Sequence, residues 1–219
     1  VWLVVAGLIE LYRTVQEPKW LRWAQELTTT QIDLFWDEKT GGFFESLPDP
    51  LVAVRLRNDH DGAEPAANSV AAENLIRLGR LTDNNEWLQL ADKTINSFDA
   101  QLDKYPQALP CLLNARQELL ATPHQVVIAG GREAEDTHKM LSAVFRSWHP
   151  DRILLLADEG ENQQLLETFF PFIKEMTIQD KQSTAYICRD FTCQAPVVAP
   201  DELVESLKSQ KRQRKKKKN

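Results

Sequence analysis

One pattern of apolar and tryptophan residues occurs twice in this chain at a fixed spacing. Leu8-Ile9-x-Leu11 followed by Trp20-Leu21-x-x-Ala24 returns 67 residues later as Leu75-Ile76-x-Leu78 followed by Trp87-Leu88-x-x-Ala91. Each copy reads as two helices. Leu8, Leu11, Tyr12 and Val15 lie at helical spacing in the first helix of copy one, and Trp87, Ala91, Ile95, Phe98 and Leu102 do so in the second helix of copy two. Turn residues separate the helices, Gln16-Glu17-Pro18 in one copy and Thr82-Asp83-Asn84-Asn85 in the other. Pro18 suits the first turn of a helix, where a missing N–H costs nothing. Asp83 or Asn84 suits an N-cap, where a side-chain oxygen accepts from an orphan backbone N–H. Repeated helical hairpins bury their apolar faces only by stacking on one another. Two copies are fewer than such an array needs, so further hairpins are expected upstream or from another chain. A fifth helix, about Ala108 to Leu120, opens a third hairpin that Pro123 cuts short.

Beyond Pro123 the period changes. Gln125–Ala129 is a short apolar run rich in β-branched residues, Gly130-Gly131 is a turn, and residues from about Ala134 to Ser147 read as helix. Arg152–Ala157 is a second buried strand, which makes a right-handed βαβ unit. Gln164–Phe170 reads as another helix and Thr184–Arg189 as another strand. The expected organisation is therefore helical hairpins over 1–122, a small βαβ-containing segment over 123–205, and a disordered basic tail over 206–219.

The 219 residues are 42% hydrophobic and 26% charged with only 8 Gly, which excludes collagen-like and disordered chains. The apolar stretch from Leu3 to Ile9 is far short of the ~20 residues a membrane span needs. The net charge of −6 hides a split. Eight basic and no acidic residues follow from Lys208 onward, leaving 18 basic against 32 acidic before it, a charge of −14. Such a body repels nucleic-acid phosphates, so nucleic acid is expected as a partner only through the tail. The tail itself reads as a nuclear-import patch, an RNA or membrane tether, or a self-repelling solvated terminus. Three cysteines (Cys111, Cys188, Cys193) do not make a disulfide framework and suit a reducing compartment, so a cytoplasmic location is favoured. Val1–Tyr12 reads as helix interior with no signal-peptide plan, as if the N-terminus were truncated.

The densest polar cluster lies between the two hairpins: Arg57-Asn58-Asp59-His60-Asp61-Gly62-Ala63-Glu64-Pro65, then Asn68-Ser69. Asp59, Asp61 and Glu64 suit paired acid/base work on a sugar or a hard-cation site, although the calcium-loop spacing is missing. The plainer alternative is an Asx-rich loop ending in an Asn68 or Ser69 N-cap. Phe35-Trp36-Asp37 with Gly41-Gly42-Phe43-Phe44 is aromatic-rich and either stacks on sugar rings or forms a hydrophobic staple and turn. Val127–Gly131 precedes a helix but lacks phosphate-loop spacing, so an ordinary βα turn is the stronger reading. Cys188-x4-Cys193 is at most half a zinc site, or a pair, and those alternatives stay open. His60, His124, His138 and His149 are scattered in the sequence and are read as structural or solvent-facing. No metal-ligand set and no cofactor motif emerges.

The run Asp59-His-Asp-Gly-Ala-Glu-Pro-x-x-Asn68-Ser-Val-x-Ala-x-Asn74-Leu-x-Arg77-Leu78 resembles one family's signature. So do Ala108-Leu-Pro110, Val127-Ile-x-Gly130, Leu154-x-Leu-Ala-Asp158 and Ala185-Tyr-x-Cys188-x4-Cys193-x-x-Pro196. That family is the spermatogenesis-associated protein 20 group, related to bacterial thioredoxin-domain proteins of the YyaL type, and the resemblance runs from about Leu3 to Leu207. It implies a longer protein, with an N-terminal thioredoxin-like domain followed by a six-hairpin (α/α) toroid similar to glycosidases and N-acylglucosamine 2-epimerases. The fold class expected here is mainly α, a partial (α/α)6 toroid of helical hairpins followed by a small α/β segment. By that resemblance the Asp59–Ser69 loop sits at the toroid mouth. Asp61 and Glu64 are then the catalytic carboxylates, Asn58, Asp59 and Asn68 the polar clamps, and Trp36 the stacking platform for a sugar ligand. The resemblance offers the absent thioredoxin-like domain as a partner. The function expected is sugar processing or binding in carbohydrate metabolism. The alternatives are a non-catalytic interaction scaffold linked to spermatogenesis, or an accessory domain to the redox-active partner.

Overall fold

The computed structural model describes residues 1–147, 152–189 and 192–216. The fold is mainly α with one small sheet, and the chain divides into two compact units, Val1–Ala121 and Thr122–Asn219. In the first unit, α1 (Trp2–Val15) and α2 (Pro18–Phe35) form one hairpin, and α3 (Ala67–Leu81) and α4 (Asn85–Asn96) form the next. A short α5 (Asp99–Lys104) and a 3-10 turn (Pro106–Ala108) lead into α6 (Pro110–Leu120). α1 packs against α2 and α3, while α3 packs against α1, α4 and α6.

The two copies of the repeat are buried differently, and packing explains the difference. Ile9 and Ile76, Leu8 and Leu75, and Ala24 and Ala91 are buried in both copies. Leu3, Val4, Leu11 and Val15 on α1 are exposed, whereas their equivalents, Val70, Ala71 and Leu78 on α3 and Thr82 at its C-cap, are buried. Leu11 is 44% exposed and Leu78 0%. α3 has helices on both flanks, which removes from water the stripe that α1 leaves open.

Local chemistry sets the helix ends. Pro18 is in the first turn of α2, and Asn84 caps α4 by accepting from the Trp87 N–H at 3.1 Å. The helix expected to run from Trp87 to Leu102 breaks after Asn96, where the Ser97 hydroxyl donates to the Thr94 carbonyl and so competes with the backbone ladder. The helix expected from Ala108 starts at Pro110, after the 3-10 turn. Neither Asn68 nor Ser69 is the N-cap of α3. That position is Ala66, whose N–H is taken by Asp61, and Asn68 lies inside the helix.

In the second unit a four-stranded sheet has the order β2-β1-β3-β4, from β1 (His124–Ala129), β2 (Arg152–Ala157), β3 (Thr184–Arg189) and β4 (Thr192–Cys193). β1 and β2 are parallel and joined through α7 (Glu135–Arg146), while β3 runs antiparallel to both of its neighbours. α8 (Glu161–Phe169) follows β2 and packs against it. Val126, Ile128, Leu154, Leu156, Ala185 and Ile187 share one core with Met140 and Val144 of α7 and with Leu203 and Leu207. The last two belong to α9 (Pro200–Lys216), which runs on into the residues read from sequence as a basic tail. The helix is nucleated by its packed leucines, and the Lys, Arg and Gln that follow are good helix formers. Residues 217–219 and His149 lie outside the described residues. No helix among the described residues is long and apolar enough to cross a membrane.

Candidate functional site

The aromatic loop after α2 folds back on itself at two glycines. Gly41 and Gly42 have φ of +78° and +80°, which residues with a Cβ rarely adopt. At Gly42 a Cβ would also come within 2.5 Å of Arg57 Nη2 and 3.0 Å of Asn68 Oδ1, so the turn is closed around those two side chains. Asn68 is 1% exposed. Its Oδ1 accepts from the Phe43 N–H at 2.7 Å and its Nδ2 donates to the Phe43 carbonyl at 2.9 Å. That amide pair fastens the first helix turn of α3 to the loop, with Phe43 buried and edge-on to Trp2 and Trp36.

A cleft of about 360 Å³ opens beside this turn, lined by Trp36, Glu38, Lys39, Thr40, Gly41, Lys93, Asn96 and Ser97. Arg57 organises its rim, donating to Thr40 Oγ1 at 2.6 Å and to Ser97 Oγ at 2.5 Å, with Asp37 Oδ2 at 3.7 Å and the Phe98 ring centroid at 4.9 Å. Burial pulls the Arg57 guanidinium below its ordinary value while Asp37 pushes it back up. It stays charged, as arginine does in proteins. Burial also works against the Asp37 charge. Bonds from the Thr40 hydroxyl and the Lys39 and Thr40 N–H groups, with Arg57, outweigh it and hold that carboxyl below its usual range. A half-buried indole next to hydroxyl, amide and ammonium groups suits a polyhydroxylated ring, whose C–H face stacks and whose hydroxyls pair.

The carboxylate loop lies apart from this lining, and its side chains are engaged to different degrees. Asp61 Oδ1 accepts from the Ala66 N–H at 2.7 Å and Oδ2 from the Cys111 N–H at 2.8 Å, so one carboxylate holds the starts of both α3 and α6. The Asp61 N–H in turn donates to the Ala108 carbonyl at 2.7 Å. Burial, then Asp61 and Glu73, push the Cys111 thiol up, away from thiolate chemistry. Asp59 accepts from the Gln101 amide, and Asn58 Oδ1 accepts from the His60 N–H at 3.1 Å as an Asx turn. Glu64 is exposed on the turn that the Gly62 N–H closes on its carbonyl at 3.0 Å.

Of the six residues expected in a sugar site, Trp36 lines the cleft and Asn68 braces the aromatic turn beside it, while Asn58, Asp59, Asp61 and Glu64 belong to the carboxylate loop outside that lining. Sequence reasoning passed over Asp37, Thr40, Arg57, Lys93 and Ser97. Arg57 and Asp37 stand within the two quoted motifs, and the Gly41-Gly42 pair was the signal that something must approach there closely. In the second unit, Gly130 does not cradle phosphate. The space a Cβ would fill there is taken by the Ser183 and Thr137 hydroxyls, which bond each other at 2.7 Å. Cys188 and Cys193 are joined as a disulfide, which settles that pair against a zinc half-site. His124 is buried, and His60 and His138 are exposed.

No family profile matches the chain. It is similar to spermatogenesis-associated protein 20 of Homo sapiens, 38% identical over 206 residues that cover 93% of this chain and 26% of that protein. The proteins of the same name from Mus musculus and Rattus norvegicus are each 37% identical over the same length and shares. The chain thus spans about a quarter of the length of the curated relatives it matches.

Proposed function

Because the chain belongs to the spermatogenesis-associated protein 20 family, we propose that it is the C-terminal part of a carbohydrate-binding or carbohydrate-processing protein. Its hairpins are then the closing part of an (α/α) toroid like that of six-hairpin glycosidases and N-acylglucosamine 2-epimerases. The observation that carries this reading is the cleft with Trp36 on its wall and the Arg57–Thr40–Ser97 hydrogen bonds at its rim. Trp36 stacks the sugar ring, and Lys93, Asn96 and Ser97 meet its hydroxyls. Glu64, whose exposed carboxylate takes none of the loop's own bonds, is the acid/base group, while Asp61 positions the loop that carries it. In the whole protein the site works beside a thioredoxin-like domain, in a role connected with spermatogenesis.

The test is a panel of monosaccharides and N-acetylated hexosamines titrated against tryptophan fluorescence and melting temperature, with turnover followed for any ligand found. Binding that Trp36→Ala abolishes, with turnover lost in Glu64→Gln at unchanged stability, is the expected result. A panel with neither binding nor turnover overturns it. The engagement of both Asp61 oxygens by backbone N–H groups favours a second reading, a scaffold that keeps the hairpin architecture without catalysis. Under that reading Glu64→Gln changes nothing measurable.

A further inference from the structure

The second unit carries a feature that sugar chemistry does not use. Cys188 on β3 and Cys193 on β4 stand directly opposite each other in antiparallel register, and their sulfurs are bonded. The Gln194 N–H donates to the Ile187 carbonyl at 2.9 Å, so the cysteines form the neighbouring pair, where side chains of the two strands come closest. β4 is the outer strand of the sheet and is two residues long. Cys193 is exposed there, while Cys188 is 3% exposed.

A bond across five sequence positions restrains the unfolded chain less than one that closes a long loop. The rest of the unit is held without it. β1 pairs along its length with β2 and β3, and the chain beyond β4 is fastened by the Ala185 and Val197 N–H groups, which exchange bonds at 2.7 and 2.9 Å. Leu203 and Leu207 are buried in the core past that point. Opening the bond therefore frees the sheet edge and leaves the core in place. A structural staple would show the opposite pattern, with buried sulfurs joining elements that nothing else joins.

We propose that Cys188 and Cys193 are a reversible thiol–disulfide exchange site, with a low-molecular-weight cysteinyl thiol as its redox partner. The thiolate of the partner attacks the accessible Cys193 Sγ, the S–S bond breaks, and Cys188 leaves as a thiolate that takes a proton from solvent. A second partner thiolate attacks the partner sulfur of the mixed disulfide and releases Cys193 as a thiolate, which also takes a proton from solvent. Two partner thiols are oxidised to one disulfide, and the two electrons reduce the protein bond. Oxidised partner runs the sequence backwards.

The experiment uses the 219-residue chain with Cys111→Ser, held without denaturant in glutathione buffers of graded reduced-to-oxidised ratio, then acid-quenched, alkylated and weighed intact. Two alkyl groups appearing together in one transition, reversed by oxidised glutathione and with the circular dichroism of the folded chain retained, is the expected result. In Cys188→Ser, Cys193 takes up one glutathione, while in Cys193→Ser the buried Cys188 stays unmodified until the chain is unfolded. If Cys111→Ser does not fold, peptide mapping of the parent chain reads the same two cysteines. Reduction that occurs only on unfolding overturns the proposal, as does a pair that never oxidises or equal glutathione uptake by the two single variants.

Discussion

Asp61 gives the sharpest separation between a catalytic and an architectural carboxylate. Its two oxygens accept the Ala66 and Cys111 N–H groups at 2.7 and 2.8 Å, and each partner lies at the start of a helix. A hydrogen bond to a charged acceptor contributes about 1.5–3 kcal/mol, and a carboxylate near a helix N-terminus adds a few tenths more. The side chain is only half-buried, which pulls both contributions toward their lower ends. Asp61→Ala is therefore expected to cost about 2–4 kcal/mol. Asp61→Asn, which keeps one good acceptor oxygen, should cost about half of that. At roughly 3 °C per kcal/mol for a chain of this size, the alanine variant melts about 6–12 °C lower. The assay is thermal and urea unfolding followed by helical circular dichroism, with Glu64→Gln as the comparison because Glu64 is exposed and should leave the transition in place. An Asp61→Asn variant as stable as the parent would refute the reasoning and return Asp61 to the list of catalytic candidates. The same arithmetic makes Asp61→Asn a poor probe of catalysis, since it disturbs the loop that presents Glu64.

Glycine substitutions should diverge by position. Gly42→Ala is strained at φ +80° and meets Arg57, so a loss of about 1–3 kcal/mol is expected in urea unfolding; Gly7→Ala, in mid-helix with nothing within 4 Å, should gain about 0.5–1 kcal/mol. Glu118 has its carboxyl raised by burial, against which Arg77 pulls it down. A raised acid favours the fold while protonated and loses that contribution as pH climbs through the folded value. Glu118→Gln should therefore be more stable than the parent at neutral pH, with the gap closing below about pH 4 in melts across a pH series. Asp136 is held low by the Ser183 N–H at 2.7 Å and the Ser183 side chain, so its contribution is present at neutral pH and lost on acidification. Asp136→Asn should lower the melting temperature of the second unit at neutral pH and converge with the parent in acid. The open stripe on α1 predicts concentration-dependent self-association of the 219-residue chain in sedimentation velocity, relieved by Leu11→Lys; a monomer at all concentrations would count against it.

What the sequence made legible follows from how local each determinant is. The hairpins were readable because helical spacing, Pro18 and Asn84 act within a few residues of one another. β1, β2 and β3 were readable as apolar runs bounded by polar turns, which is how buried strands announce themselves. β4 carries no such signal, because two residues have no period, and its pairing depends on β3. α9 was missed because composition was weighed over its basic half alone, when Leu203 and Leu207 already show the four-residue spacing that docks its first half.

The candidate site shows the harder limit. Arg57 meets Thr40, 17 residues away, and Ser97, 40 residues away, and Asp61 meets Cys111 across 50 residues. No window of sequence contains those pairs. Residue type identified the polar cluster, yet type alone does not distinguish a carboxylate left exposed to solvent from one already accepting two backbone N–H bonds. That distinction divides Glu64 from Asp61 although the two stand three positions apart. Gly41 and Gly42 point the other way. A glycine pair beside an aromatic run implies a close approach, and the approaches they permit, of the Lys93 backbone at Gly41 and of Arg57 and Asn68 at Gly42, shape the wall on which Trp36 sits. Reading glycines as statements about what must come near would have drawn attention to the Trp36 cleft before the carboxylate loop. The cleft and the loop are also separable by experiment: Trp36→Ala removes a face for stacking without touching a backbone bond of the loop, and Glu64→Gln removes a charge without touching the cleft.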